Sequence, residues 1–477
     1  MALENNPSGT PIPPGAETRA GPVPRDSGRL SLLPAIAFSG GTFPVSSLTL
    51  ALYIYLPPYL AGHLAVPLAT IGGVWAAVRL VDLFVDPVLG HVMDLTTTRF
   101  GRYRPWLAAG TPIFMLAVFM LFMAPQGVKG IYVFVWLFVL YLGISILTLA
   151  LWSWAASLAR EYHERSRIFG ILTAVGVIAG VAILLVPIAA PALGLGNDAG
   201  VRAMGWFVIA FTPVTIAITL WSTPERVNRS TGPHFVPRDY LQIVRKPEVL
   251  RLFFCQIALT LGPGWMSALY LFYFRDILKF STQAATALLL VYILAGVVGA
   301  PLAARASKRF GKHRTLIATT TAFSIGLLGL LVIPKGSIPA VMPIMAWCGF
   351  MAAGFALLIT AMMADVGDEI RLQQDRERMS LLYATLTFAA KIAAACSIAI
   401  TFPLLGALGF NAAEGTANTL AALRGLQWAF LMGPIVFVML GGACVWGWKL
   451  DAVRHAEVRA RLDARDAALS SVMPGDA

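Results

Sequence analysis

Residues 99–104 read Arg-Phe-Gly-Arg-Tyr-Arg, and residues 309–314 read Arg-Phe-Gly-Lys-His-Arg. The two stretches lie 210 residues apart, and each follows the second long apolar segment of its half of the chain. Internal similarity at a fixed offset is typical of a duplicated unit. One such match can arise by chance, but the shared position predicts two halves built on one plan.

The sequence around both copies is too apolar for a soluble protein. Of the 477 residues, 58% are hydrophobic and 13% are charged, and the mean hydropathy is +0.74. A helix needs roughly 20 apolar residues to cross a hydrocarbon core about 30 Å thick. Backbone groups in lipid must form their hydrogen bonds internally, which segments of this length do as helices. We therefore predict an all-α membrane protein.

Twelve apolar segments are long enough to cross a bilayer. We predict spans at 34–61, 68–92, 106–124, 131–157, 168–194, 204–222, 251–275, 283–304, 315–334, 338–364, 379–405 and 425–448. An interfacial or re-entrant segment would give a similar pattern. With the repeat, the spans predict two pseudo-symmetric six-helix bundles.

Polar stretches set the predicted domain boundaries. A proline-rich segment at 223–249 is predicted to be a cytoplasmic linker between an N-terminal bundle at 33–222 and a C-terminal bundle at 250–448. Residues 1–32 are predicted to form a disordered cytoplasmic tail, and residues 449–477 a cytoplasmic C-terminal tail.

The 36 Lys and Arg residues are distributed unevenly between the two sides of the predicted membrane protein. Outside the spans, all but six lie on the side of the N-terminus, and the six are Lys129, Arg202, Arg275, Lys279, Lys335 and Arg424. The positive-inside rule therefore predicts a multi-pass protein of the cell inner membrane with both termini in the cytoplasm. Topology accounts for the net charge of +12, so we expect no nucleic-acid partner. The expected partners are the lipid bilayer and a small-molecule solute, and we expect a monomer.

The residues that enzymes use do not form a recognisable pattern in this sequence. The four cysteines fall singly in four apolar segments, the six histidines are scattered, and no GxxxxGK[ST] loop is present. We predict that the protein is not an enzyme and needs no cofactor or metal beyond a coupling ion, H⁺ or Na⁺.

The second predicted span contains three ionisable residues. Residues 79–87 read Arg-Leu-Val-Asp-Leu-Phe-Val-Asp-Pro, so steps of three and four place Arg79, Asp82 and Asp86 on one helical face. Each would raise the free energy of insertion by about 2.5 to 3.5 kcal/mol at the bilayer centre, which indicates a function. Carboxylates one turn apart repel when both are ionised, and this favours binding of a proton or a small cation. An internal Arg79–Asp82 pair is the alternative, but it leaves Asp86 unexplained.

The second half of the chain supplies one deep charge and no matching carboxylates. Lys391 lies in the eleventh span, where it can reach a carboxylate across the bundle interface. At the offset of the repeat, Tyr292 and Gly296 replace the two aspartates, so the fold alone does not require them. Gly and Pro residues at 40–44 and 262–264 interrupt the opening span of each half, which predicts a cavity or ordinary kinks.

Several motifs occur together in this sequence: residues 79–87, Gly-Arg-Tyr-Arg-Pro-Trp at 101–106, Trp152-Ser153, Ala-Asp-x-x-Asp-Glu at 364–369 and Thr387-x-x-x-Lys391. With them, most of the chain resembles the glycoside-pentoside-hexuronide:cation symporters of the major facilitator superfamily. The resemblance implies the major facilitator fold and secondary active symport of a small organic solute by alternating access. A sugar or glycoside-like compound is the solute it implies.

The resemblance also implies roles for individual residues. Asp82 and Asp86 match the cation-binding carboxylates of the family, Ser145 matches a hydroxyl that helps to ligate the cation, and Lys391 matches its helix-eleven lysine. We expect Arg79 and Lys391 to bias the charge state of the two carboxylates.

Three positions depart from the family pattern. Val85 replaces a carboxamide of the members that use Na⁺, so we expect H⁺ rather than Na⁺. Ser46 and Thr148 replace two acids of the sugar site, and neutral hydroxyls form weaker hydrogen bonds than carboxylates. A more apolar or amphiphilic solute, or a non-transporting sensor or enzyme, is therefore an alternative. Other candidates for contact with a solute, for which packing is the alternative, are Tyr53, Tyr55, Trp152, Trp154, Trp265, Thr387 and Lys391.

Overall fold

The computed structural model describes residues 31–96, 98–158, 162–190, 199–223, 225, 245–374, 379–413 and 416–472. Within these ranges, twelve helices are long and apolar enough to cross a membrane. They are α1 Leu32–Gly62, α2 Leu68–Leu95, α3 Arg104–Phe122, α4 Gly130–Leu158, α5 Tyr162–Ala189, α6 Ala199–Ser222, α7 Pro247–Ile277, α8 Thr282–Phe310, α9 Lys312–Leu331, α10 Ile338–Gln374, α11 Met379–Ala407 and α12 Leu420–Cys444. The prediction of an all-α membrane protein with twelve spans is confirmed.

Two predicted polar segments are only partly described. Residues 1–30 of the predicted N-terminal tail, and residues 224 and 226–244 of the predicted linker, lie outside the described ranges. The helix α7 begins at Pro247, within the predicted linker. Proline is tolerated in the first turn of a helix because no intrahelical hydrogen bond is lost there.

The first helix changes its winding twice along its length. It contains a 3₁₀ turn at Gly40–Thr42 and a π turn at Ala51–Tyr55. A Cβ atom on Gly41 would lie 2.9 Å from the side chain of Leu151 and 3.0 Å from that of Thr219. Glycine therefore lets α1 approach α4 and α6 closely, and the predicted interruption is a local change of helix type.

The predicted interruption of α7 is not found. The α-helix runs from Pro247 to Phe272 with Pro263 inside it, and a π turn follows at Tyr273–Ile277. A Cβ atom on Gly262 would lie 2.8 Å from the Val438 side chain, and one on Gly264 would lie 3.0 Å from that of Ser397. The two glycines thus serve the close packing of α7 against α12 and α11.

The repeated loop has the same backbone feature in both halves. Gly101 has φ +114° and Gly311 has φ +88°, a region that residues with a side chain rarely adopt. In the first copy, the carboxylate of Glu225 accepts hydrogen bonds from the backbone N–H groups of Arg102 at 2.7 Å and Arg104 at 3.2 Å. A carboxylate at the start of α3 is favourable because the helix dipole is positive there.

Among the described residues, three pairs of helices join the two bundles. The helices that cross the interface are α2 along α11, α5 along α8 and α1 against α7. The Tyr55 hydroxyl donates to the hydroxyl of Thr286 at 2.8 Å, and both residues are buried. A Cβ atom on Gly72 would lie 2.7 Å from Pro403. These contacts close the interface near the start of α2 and of α8.

Two exposed side chains lie toward the other end of the bundle interface. Trp152 lies two turns beyond the buried Ser145 on α4, on the same helical face, and is 52% exposed. On α11, Thr387 lies one turn before Lys391 and is also exposed. Both side chains lie on the side of the molecule that holds the end of α2 and the start of α11.

The predicted C-terminal tail contains a packed helix, α13, at Ala452–Val472. Its side chains Val458 and Leu462 are buried, and His455 contacts Asp368 at 3.0 Å. The helix packs on α10, which extends to Gln374, well past the predicted end of that span. The sequence did not predict α13 because its few apolar residues form too narrow a stripe to mark a membrane span.

Candidate coupling site between the bundles

The candidate site lies where α2 meets α4 and α11. Asp82 and Asp86 are one turn apart on α2, Ser145 lies on α4, and Lys391 lies on α11 of the second bundle. The apolar residues between the charges continue the helix, so its rigid 3.6-residue period sets the spacing of the carboxylates. The structure brings together all five residues of the predicted ion site, Arg79, Asp82, Asp86, Ser145 and Lys391.

Asp82 is the more enclosed of the two carboxylates, with 3% of the residue exposed. One oxygen, Oδ1, accepts a hydrogen bond of 3.2 Å from the hydroxyl of Ser145. The other, Oδ2, accepts from Nη1 of Arg79 at 3.2 Å and lies 3.5 Å from Nζ of Lys391. Both oxygens of this carboxylate are therefore occupied, since each already accepts a hydrogen bond.

Asp86 has fewer partners than Asp82. Its Oδ2 accepts from Nζ of Lys391, which crosses from the opposite bundle. Its Oδ1 is buried and has no hydrogen-bond partner among the described residues. A buried acceptor without a partner is unfavourable, so this oxygen is the part of the site best placed to bind a proton or a cation.

Arg79 is held by aromatic side chains as well as by Asp82. Its guanidinium lies over the ring of Tyr141, 4.2 Å from the centroid, and donates to the hydroxyl of Tyr53. The Tyr141 hydroxyl in turn donates to Tyr53 at 3.2 Å. The side chains of Tyr53 on α1, Arg79 and Asp82 on α2, and Tyr141 on α4 thus form one connected assembly, the Arg79 assembly.

The site is electrically balanced when no ion is bound. Its two carboxylates carry two negative charges, and Arg79 and Lys391 carry two positive charges in close contact with them. Paired charges tolerate burial far better than isolated ones. Binding of one cation leaves the cluster with one excess positive charge, which weakens the hold of the carboxylates on Lys391.

Four candidates for solute contact lie on the helices that carry the ion site. Tyr53 belongs to the Arg79 assembly, and Thr148 is half-buried one turn beyond Ser145. Trp152 is exposed, with its ring edge-on to Phe169 at 6.1 Å. Thr387 is exposed and donates to the carbonyl of Tyr383, in its own helix.

Ser46 lies apart from these residues, in the packing between α1 and α5. It is half-buried, its hydroxyl is 3.3 Å from that of Thr42, and a Cβ atom on Gly176 would lie 3.0 Å from it. The structure therefore does not bring Ser46 to the carboxylate cluster in this conformation.

Three of the aromatic candidates pack inside the protein. Trp265 is 5% exposed, donates to the carbonyl of Ala429 at 2.9 Å and covers Gly433. Trp154 is fully buried against Phe38. Tyr55 closes the interface described above, so the packing alternative describes these side chains in the present conformation.

Tyr141 is the residue of the site that the sequence analysis missed. It lies four residues before Ser145, so Tyr141, Ser145, Thr148 and Trp152 form one stripe along α4. This stripe was visible in the sequence, but a tyrosine among many apolar residues gave no indication that it faces a guanidinium.

The acidic motif at 364–369 forms a second charged cluster, at the end of α10. The two oxygens of Asp365 accept from Nζ of Lys312 at 2.6 and 2.7 Å, and His455 lies 3.3 Å away. Arg454 of α13 lies 3.4 Å from Glu369. This cluster joins α9, α10 and α13 and does not include the carboxylates of α2.

A membrane protein of two six-helix bundles, with acids of one bundle contacting a lysine of the other, has the architecture of a secondary transporter. The model of the MFS/sugar transport protein family matches residues 37–452. The chain belongs to this family, within the glycoside-pentoside-hexuronide symporters of the major facilitator superfamily. The resemblance seen in the sequence is confirmed.

Relatives with names cover most of the chain. An isoprimeverose transporter of Lactiplantibacillus pentosus is 26% identical over 418 residues, which are 84% of this chain and 85% of that protein. A glucuronide carrier protein homolog of Escherichia coli strain K12 is 24% identical over 425 residues, 86% of this chain and 91% of that protein. Both are named as carriers of solutes, which supports the prediction that this chain is not an enzyme.

Solved structures agree on the fold. A crystal structure of the nucleoside transporter NupG has a TM-score of 0.66 at 12% identity, and covers 87% of this chain and 99% of that one. A bacterial homolog of the human lysosomal transporter Spinster has a TM-score of 0.63 at 13% identity, and covers 90% of this chain and 97% of that one. At these identities the likeness extends to the fold and no further.

Proposed function

We propose that this protein is a cation-coupled sugar symporter, with H⁺ as the coupling ion, that works by alternating access. The observation that carries the proposal is the contact of Asp82 and Asp86, on the first bundle, with Lys391 on the second. A change of charge on these carboxylates alters an attraction between the two bundles. Alternating access requires such a link, because the bundles must move against each other.

The ligands at the site favour a proton over Na⁺. The site offers Asp86 Oδ1, which has no hydrogen-bond partner among the described residues, and the oxygens of Asp82 and Ser145, which are already in use. The side chain next to Asp86 is Val85, which has no oxygen to add. A proton needs one carboxylate oxygen, whereas a hard cation such as Na⁺ needs several oxygen ligands.

The coupling step follows from the balance of charges. Without an ion, Lys391 bridges Asp86 and Asp82 and holds α11 against α2. A proton on Asp86 removes one negative charge, so the attraction between the helices weakens and the bundles can rearrange. Loss of the proton on the other side of the membrane restores the attraction.

The solute in this proposal is a glycoside-like compound that binds in the space between the bundles. The names of the relatives include isoprimeverose, glucuronide, lactose and raffinose carriers. The side chains on the helices of the ion site that support this proposal are Tyr53, Thr148, Trp152 and Thr387, and Lys391 supplies a charge. Tyrosine and tryptophan offer apolar faces with polar edges, which suit sugar rings.

Ser46 and Thr148 stand where the family has acids, which keeps an apolar or amphiphilic solute as the second candidate. Neutral hydroxyls hold sugar hydroxyls less strongly than carboxylates do. A solute that binds mainly by apolar contact is less affected by this loss.

We propose that the protein lies in the inner membrane of the cell. The distribution of the basic loops places both of its termini in the cytoplasm. In that orientation Trp152 and Thr387 lie toward the cytoplasm, and the end closed by Tyr55 and Thr286 faces outward. The protein is proposed to act as a monomer in the lipid bilayer, without a cofactor.

Purified protein in liposomes tests the function. A panel of glycosides, sugar acids and amphiphiles is offered under an imposed H⁺ gradient, an imposed Na⁺ gradient or neither. Accumulation of a glycoside under the H⁺ gradient alone supports the proposal. Accumulation of an amphiphile instead favours the second candidate, and no accumulation of any solute under either gradient rejects symport.

A further inference from the structure

The coupling site contains a residue whose contacts suggest a role in setting its ion affinity. Tyr141 is 3% exposed on α4, with its ring face 4.2 Å from the guanidinium carbon of Arg79. Its hydroxyl donates to Tyr53, which also accepts from Arg79. The ring covers one face of the guanidinium, whose Nη2 donates to Tyr53 while its Nη1 donates to Asp82, and these contacts confine it.

The confinement matters because arginine is long and flexible. The Arg79 side chain is 11% exposed, and its Nε has no hydrogen-bond partner among the described residues. Asp82 therefore pairs with only part of the guanidinium. A cation over an aromatic face is attracted by the ring, more strongly where water is excluded. Tyr141 therefore keeps the positive charge of Arg79 next to Asp82.

The position of Arg79 affects Lys391 as well. Nζ of Lys391 contacts Asp86 and also lies 3.5 Å from Asp82. While Arg79 compensates Asp82, Lys391 is left to pair with Asp86. If Arg79 moves away, Asp82 competes for Lys391, and Asp86 loses part of its cationic partner.

We propose that Tyr141 is a positioning residue that holds Arg79 on Asp82 and thereby lowers the affinity of Asp86 for the coupling ion. This inference rests on the proposed function, since it concerns the same site. The low affinity serves transport because an ion that binds too tightly is released slowly on the far side. Tyr141 thus favours turnover over tight binding.

The test compares two substitutions of the same residue. Tyr141→Leu keeps an apolar side chain of moderate size but removes the aromatic face, while Tyr141→Phe keeps the face and removes one hydroxyl. Uptake by liposomes of the glycoside that the wild-type protein accumulates is measured across a range of pH and of Na⁺ concentration. Exchange of the same glycoside with equal pH and Na⁺ on both sides serves as the measure of folded, solute-competent protein.

We expect Tyr141→Leu to reach half-maximal uptake at roughly tenfold lower ion concentration, with a lower maximal rate of uptake and solute exchange retained. Tyr141→Phe should shift the half-saturating ion concentration in the same direction but by less, because it keeps the aromatic face and loses only the hydroxyl that donates to Tyr53. If Tyr141→Leu does not fold, Tyr53→Phe carries the test, because loss of the hydroxyl that accepts from Arg79 should shift the ion dependence in the same direction.

The outcomes separate this inference from the proposed function. An ion-dependent wild type whose half-saturating ion concentration is unchanged in Tyr141→Leu overturns the positioning role and leaves symport intact. A wild type that transports solute without any ion dependence overturns the proposed function, and the positioning role with it.

Discussion

Replacement of Lys391 by methionine isolates the effect of the cation that joins the two bundles. Methionine keeps an unbranched apolar side chain of nearly the same length as lysine but has no charge. In the structure Asp86 relies on Lys391 for its hydrogen bond to Oδ2, whereas Asp82 keeps Arg79 and Ser145 when Lys391 is removed. The substitution should therefore act mainly on Asp86.

The size of the effect can be estimated from exposure. The side chains of Lys391 and Asp86 are 27% and 20% exposed, so the pair is neither fully buried nor open to water. Two unit charges about 4 Å apart attract by about 4 kcal/mol at an effective dielectric constant near 20. Screening by solvent reduces this attraction to about 1 to 3 kcal/mol. Loss of the attraction should raise the affinity of Asp86 for a coupling ion by about ten- to hundredfold.

The assay is solute exchange and gradient-driven uptake by the same liposomes, each measured across a range of pH and Na⁺. For Lys391→Met we expect half-maximal ion activation at a concentration about ten- to hundredfold below that of the wild type, and slower gradient-driven uptake because ion release is slower. Lys391→Arg keeps the charge and serves as the control. An unchanged ion dependence in a variant that still exchanges solute would refute the assignment of Lys391 as the partner of Asp86.

Two further pairs of substitutions test the packing. Gly101→Ala should lower stability in detergent by about 2 kcal/mol or more, because its φ is +114° and a Cβ atom would lie 2.1 Å from an oxygen of Glu225. Gly127→Ala is the control. Its φ is +79°, and an added Cβ atom would have no contact within 4 Å beyond its chain neighbours, so only the backbone strain should lower its stability. Trp265→Ala, at a buried position, should lower the free energy of unfolding by about 3 to 5 kcal/mol with little change in KM. Trp152→Ala, at an exposed position, should raise KM and leave the melting temperature almost unchanged, and the reverse pattern for the two tryptophans would contradict their placement.

The charged stripe of α2 could be predicted from the sequence because helical periodicity is a local property. Steps of three and four residues were enough to place Arg79, Asp82 and Asp86 on one face. The depth of Lys391 in the eleventh span also indicated that it can reach a carboxylate across the bundle interface. The contacts of Lys391 with both aspartates agree with this reasoning.

Other features depend on contacts between distant segments, which composition does not determine. Tyr141 and Trp265 are both aromatic residues in apolar helices, yet one faces a guanidinium and the other packs on Gly433. The glycines at 262 and 264 were predicted to break α7, but they allow close helix packing. Glycine has both uses in membrane helices, and only the neighbouring helix decides between them.

The central claim is that solute movement is tied to an ion on the carboxylates of α2. The most direct measurement is the pH of a weakly buffered suspension of liposomes when a transported solute is added without any imposed gradient. We predict that the wild-type protein takes up H⁺ with the solute, so the external medium becomes more alkaline, and that Asp86→Asn admits the solute without this change. An alkaline shift of wild-type size in Asp86→Asn would contradict the account.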